Sequence, residues 1–233
     1  MGKHPPLDVV VWSDLACFTR PECKVERVSY PMMTPSAARG VLEAIFWRPE
    51  MRWLVREIHV LREIRWLSIL RNEINSRQSI KSAVVRKGAH YCADSDRSQR
   101  HTLALRDVRY RIIADIELNE HALLDEAKEP PNEAKFGDQF HRRIARGQCF
   151  HRPYLGCREF ACGFDESCGD DQPLASLNME IGPMLFDIRY QQIEVDSRRL
   201  GSGGEPLFFE AALIGGKLKV PEKMYKEVEP VCC

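Results

Sequence analysis

An α+β protein follows from three observations. One long stretch keeps strict two-residue alternation, two segments carry helical periodicity with matching end signals, and strands and helices interleave before a purely extended tail. The alternation is clearest over 102–118, where Val108, Tyr110, Ile112, Ala114, Ile116 and Leu118 share one face and Arg109, Arg111, Asp115 and Glu117 the other. Leu103 and Leu105 are out of phase with that set, which predicts a bulge at Arg106–Asp107.

The remaining elements follow in order. Residues 7–19 (LDVVVWSDLACFT) are rich in β-formers and predict the first strand. Thr34-Pro35 supplies an N-cap and a proline at the first helical position. The helix it opens, 36–48, carries Ala38, Val41, Leu42 and Ile45 at helical spacing, and Pro49 stops it. Residues 51–74 predict a strand over 55–61 and a second after it. Residues 75–100 are polar and basic, and predict an extended loop. A second helix spans 132–146, with Asn132 as cap, Gly147 as stop and Phe136, Phe140 and Ile144 as its buried stripe. Residues 153–164 read as a turn and then a strand. Beyond the link at 169–173, strands are expected over 181–190 and 206–220, the latter folded into a hairpin by Gly215-Gly216.

Strand, helix, strand, strand, helix, strand is the order of a ferredoxin-like sandwich, which RNA-recognition modules share. The expected organisation is a ferredoxin-like domain over 1–168 with a basic loop insertion at about 75–100. A small C-terminal antiparallel β domain over 169–233 completes it.

Composition narrows the function classes. With 44% apolar and 29% charged residues the chain has the make-up of a globular protein, and its 34 basic and 34 acidic residues cancel. The signs are segregated: twelve Lys/Arg against five acids lie between Arg62 and Arg111, and thirteen acids against seven bases lie from Ala161 onward. A basic surface facing an anion is one reading, a solvated basic loop the other. MGKHPPLDVV lacks the apolar run of a signal peptide, and no run approaches the roughly 20 residues of a membrane span. A cytoplasmic protein with no membrane partner is expected. Nine cysteines, without framework spacing, argue for free thiols in a reducing compartment.

The stretch GQCFHRPYLGCREF (147–160) concentrates reactive residue types. Its cysteines lack the close pairing of a zinc site, so no metal is expected. Cys149 follows a helix C-terminus, where the dipole does not favour a thiolate nucleophile. As framework the stretch is coherent: Gly147 ends a basic helix, Pro153 blocks its continuation and Gly156 lets the chain turn.

That stretch also resembles the signature of the CRISPR-associated Cas family 5 proteins of subtype I-C. DLACFTRPECKVERVSY (14–30), PSAARGVLEAIFWRPEMRW (35–53), HVLREIRWLSILRNEI (59–74), LRDVRY (105–110) and GPMLFDI (182–188) agree in the same order. The resemblance implies a RAMP-type endoribonuclease that cuts precursor CRISPR RNA at the repeat hairpin, with no metal or other cofactor. It further implies retention of the 5′ handle within the type I-C interference complex, Cascade. Implied partners are the CRISPR RNA, the backbone and large subunits, and target DNA within the complex. The alternative is a non-catalytic subunit that caps the 5′ handle.

The implied chemistry is attack by a ribose 2′-hydroxyl on the adjacent phosphate, which needs proton transfer and a cation for the developing charge. The resemblance assigns the cation to Lys135. It sets the proton-transfer positions at Phe46 and Phe136, and neither phenylalanine can move a proton. Substitutes named by residue type are His90, Tyr91 and His101, while helical geometry turns His141 away from Lys135. Phosphate contacts are expected from Arg39, Arg48, Arg71, Arg142, Arg143 and Arg146, and base stacking from Tyr30, Trp66 or Tyr91.

Overall fold

The computed structural model describes residues 5–76, 93–119, 132–195 and 199–228. Its framework is β5, Arg97–Leu118, a strand of 22 residues that every early element uses. On one side β1 (Leu7–Ala16) pairs with it antiparallel in unbroken register, from Leu7↔Ala114 to Ala16↔Leu105. On the other side two strands share its length. β3 (Met51–Val60) takes the C-terminal half and β4 (Trp66–Ile74) the N-terminal half, both antiparallel. Short β2 (Arg27–Val28) adds a parallel pair.

The irregularity predicted at Arg106–Asp107 lies where β5 changes partners. Asp107 adopts φ 55°, and the Arg106 N–H donates to the Arg65 carbonyl at 2.9 Å in the β3–β4 connection. The β1 ladder runs through without slipping, so the true register shift sits in β3, between Val55 and Glu57. Residues 97–100, expected within the loop, are strand paired with β4. The rest of that basic segment, 77–92, with His90 and Tyr91, lies outside the described residues.

The helices cover one face. α1 (Pro35–Ile45) is capped by Thr34, whose hydroxyl accepts from the Ala37 N–H at 3.3 Å. It ends three residues earlier than the proline suggested: Phe46 is already extended, at φ −151° and ψ 123°, and drops its ring into the core. α2 (Glu133–Ala145) starts at its expected cap, Asn132, which accepts from the Ala134 N–H at 2.9 Å, and stops at Gly147 with φ 60°. Phe136, Phe140 and Ile144 are buried as the stripe required, and Phe140 meets Trp53 with ring centroids 4.7 Å apart.

Residues 154–162 correct the strand expected there. Tyr154 bridges Ala161, and Leu155, Cys157, Phe160 and Cys162 are all buried, so the alternation read from sequence does not describe their environments. Gly156 causes this: its φ of 84° turns the chain, and a Cβ there would stand 2.0 Å from the Cys17 carbonyl oxygen. Only β6 (Gly163–Asp165) joins the sheet, antiparallel to β1. The C-terminal part is the long hairpin β7 (Met179–Val195) and β8 (Arg199–Ile214), followed by β9 (Lys217–Lys219). Gly215 and Gly216 make the predicted two-residue turn, at φ 56° and 71°. β9 pairs with β3, giving the order β6-β1-β5-β3-β9-β8-β7. A short α3 (Lys223–Glu227) follows. No helix among the described residues is long and apolar enough to cross a membrane.

Candidate nucleic-acid interface

The C-terminal end of α1 is a junction. A helix leaves its last carbonyls without intrahelical partners, and here those of Ala44 and Ile45, with that of Phe46 just beyond, are met from elsewhere in the chain. The Ala44 carbonyl accepts from the N–H groups of Phe150 (2.8 Å) and His151 (3.3 Å). The Ile45 carbonyl accepts from Arg143 Nη1 at 2.9 Å, and the Phe46 carbonyl from Trp53 Nε1 at 2.8 Å. α1, α2 and the segment after α2 therefore meet around Phe46.

Phe46 is 1% exposed and its ring centroid lies 6.1 Å from that of Phe136. The Arg143 guanidinium stands 5.5 Å from the Phe46 centroid and that of Arg48 6.0 Å, both within cation–π range. Lys135, exposed on the first turn of α2, precedes Phe136. Two of the three positions singled out from sequence, Phe46 and Phe136, thus meet at the junction, as packed side chains with no transferable proton. His141 is elsewhere, lining a cavity of about 170 Å³ with Leu7, Asp115, Glu133 and Asp138. His101 is exposed on β5, opposite Leu70 of β4.

The arginines divide into two groups. Arg48, Arg142 and Arg146 are exposed around the junction, whereas Arg143 is half-buried and caps α1. Arg39 and Arg71 are engaged within the fold. Arg39 forms ion pairs with buried Asp187 and with Glu43 at 3.4 Å. Burial pushes the Asp187 carboxyl above its ordinary value, and Arg39 partly offsets that rise. Arg71 donates to Thr102 Oγ1 (3.0 Å), Glu73 (2.8 Å) and Glu159 (2.6 Å), with its side chain 15% exposed. Of the proposed stacking residues Tyr30 is buried, its hydroxyl accepting from the Leu185 N–H at 3.3 Å, which removes it as a platform. Trp66 is 44% exposed.

Sequence reasoning passed over Trp47 and the residues of 148–152 as contacts. Trp47 is exposed beside Arg48, and Phe150 carries the most exposed of the large apolar side chains among the described residues. A signal was present: between Asp138 and Glu159 the chain holds five arginines and no acid. Of the thiols, Cys149 is exposed within this segment, whereas Cys17 and Cys157 are buried. Cys157, buried beside Cys17, has its pKa lowered by the hydrogen bond to Cys17 and by Arg27, whose Nη1 donates to its sulfur at 3.2 Å.

A family model described as CRISPR-associated protein (Cas_Cas5) matches residues 7–176. The chain belongs to the Cas5 family, subtype I-C. Two Cas5 relatives match over nearly their whole length. A Thermus thermophilus protein named CRISPR pre-crRNA endoribonuclease Cas5d is 44% identical over 231 residues, covering 95% of this chain and 94% of its own. A protein of the same name from Mannheimia succiniciproducens is 40% identical over 233 residues, covering 94% and 96%. A solved structure described as that of a CRISPR-associated protein shares the fold, with a TM-score of 0.64 at 20% identity, covering 95% of this chain and 96% of its own. The Cas5 match takes in α1, α2 and the acid-free segment, and ends before β7.

Proposed function

We propose that this Cas5 protein binds precursor CRISPR RNA, cuts it at the repeat hairpin and holds the resulting 5′ handle within the type I-C interference complex in the cytoplasm. Identity of 44% and 40%, over nearly the full length, to two proteins named pre-crRNA endoribonucleases is the observation that carries the reading. Physical support comes from the exposed cations around the α1 junction, since phosphate binding requires only positioned positive charge. The backbone and large subunits of the complex, and the target DNA they engage, are its further partners, and the acidic C-terminal third suits contact with basic subunits. Residues 1–168 serve as a ferredoxin-like domain, a reading supported by the partial order β6-β1-β5-β3 with α1 and α2 as crossovers. Residues 169–233 serve as a second, β-rich domain.

In this reading Lys135 stabilises charge on the phosphate while the neighbouring 2′-hydroxyl attacks, without metal or other cofactor. Arg48, Arg142, Arg143 and Arg146 position the backbone, and Arg39 and Arg71 serve the fold that presents them. One observation favours the second reading, a non-catalytic handle-capping subunit. Phe46 and Phe136 fill the implied proton-transfer positions with buried rings, and losing such groups costs about 10²–10⁴ in rate.

The test is incubation of the chain with its own repeat RNA in EDTA, beside Lys135→Ala. Cutting at one site, lost in the variant, is the expected result. Cutting that survives in the variant would move the site away from Lys135. Tight binding without cutting by either protein would leave the capping subunit.

A further inference from the structure

Phe150 is 82% exposed, yet its backbone is fixed. Its N–H and that of His151 both donate to the Ala44 carbonyl, its ring meets His151 edge-on at 5.7 Å, and buried Pro153 restricts the chain just beyond. The cost of ordering the backbone that carries this ring is therefore met before any ligand arrives. Its sequence surroundings carry charge of one sign. Arg142, Arg146, His151 and Arg152 are exposed, and the nearest acids along the chain are Asp138 and Glu159. An exposed apolar face on a backbone-anchored cationic segment matches a ligand that joins a π-face to a negative charge at each repeat, which is single-stranded nucleic acid.

We propose that Phe150 is a stacking platform for one unpaired base of the bound RNA, with the neighbouring arginines holding the flanking phosphates. This rests on the RNA-binding reading above and adds an apolar contact to the cationic ones. The contact is indifferent to base identity, because every base offers a π-face.

Because the side chain touches little of the fold, Phe150→Ala leaves the unfolding midpoint unchanged. It weakens binding of the repeat RNA about 5- to 150-fold, the range of one lost base–aromatic stack, and Phe150→Trp restores it. Stacking releases no counterions, so the slope of log affinity against log salt is the same in Phe150→Ala and the parent, whereas Arg146→Ala flattens it. The deciding experiment replaces Phe150 by p-benzoylphenylalanine and irradiates the full chain, free and in its complex, with bound repeat RNA. A crosslink to a single unpaired nucleotide is the expected result. A crosslink only to a protein subunit, or none while RNA is bound, would overturn the platform. Failure of the unsubstituted chain to bind repeat RNA would instead defeat the RNA-binding reading, and the platform with it.

Discussion

Removing Arg39 separates a structural arginine from an RNA contact. Its partner, Asp187, has a side chain only 7% exposed, while that of Arg39 is 32% exposed. Without Arg39 the carboxylate keeps the Ile188 N–H, at 2.8 Å, as its remaining hydrogen bond among the described residues. Stranding one member of a buried pair costs about 3–5 kcal/mol, and water reaching the Arg39 side reduces this to about 2–3 kcal/mol. For a chain of this size that lowers Tm by about 4–12 °C. The pH dependence has a fixed sign. The folded Asp187 carboxyl lies above its ordinary value, so its favourable share of stability is complete at low pH and is lost as pH rises through the raised value. Arg39→Ala removes a lowering influence and pushes the carboxyl further up. The stability gap between variant and parent is therefore widest at neutral pH and narrows toward the ordinary value of 3.8. Urea unfolding across that range measures it, and adding Asp187→Asn restores most of the loss. An unchanged midpoint at pH 7.5 with weakened RNA binding would refute the reasoning and return Arg39 to the RNA contacts.

Two further substitutions test the framework. Arg71→Ala loses bonds to Thr102, Glu73 and half-exposed Glu159, and should cost about 1–2 kcal/mol in urea while leaving the salt slope of RNA binding unchanged. Gly156→Ala combines a φ of 84° with a Cβ 2.0 Å from a backbone oxygen and should cost more than about 3 kcal/mol, seen as loss of soluble protein or a collapsed Tm. Gly40→Ala is its control: nothing lies within 4 Å of the added Cβ inside α1, and stability should rise by up to about 1 kcal/mol.

What the sequence made legible was local chemistry. The Thr34 and Asn132 caps, the Gly147 stop and the Gly215-Gly216 turn are decided by residues a few positions apart, and each is where the pattern put it. Long-range pairing was not legible. Arg39 reads as a surface cation until Asp187, 148 positions away, is folded against it, and Arg71 until Glu159 arrives from 88 positions away. Tyr30 fails as a platform for the same reason: the core that covers it is assembled from distant segments. Phe150 shows the converse. Its place in a connector three residues before a proline marks a chain that has left the helix, and an acid-free run around an aromatic is visible in the order of the amino acids alone.

The junction at α1 also explains why cations gather there at all. Carbonyls at a helix end carry partial negative charge, and Arg143 neutralises it by capping Ile45, so this arginine is required by the fold whether or not RNA binds. The same capping brings α2 and the following segment onto α1, and with them Arg142, Arg146 and Arg152, which stay exposed. On the proposed reading, the anion-binding surface therefore arises as a consequence of closing the helix. Proton transfer has no such structural sponsor. Phe46 sits between Trp53, Phe136 and Arg143 and contributes packing, which a ring without a hydroxyl supplies with no buried polar group to satisfy. On the proposed reading binding and cutting can therefore part company in this chain: the proposed determinants of binding are tied to the fold, and those of cutting are not.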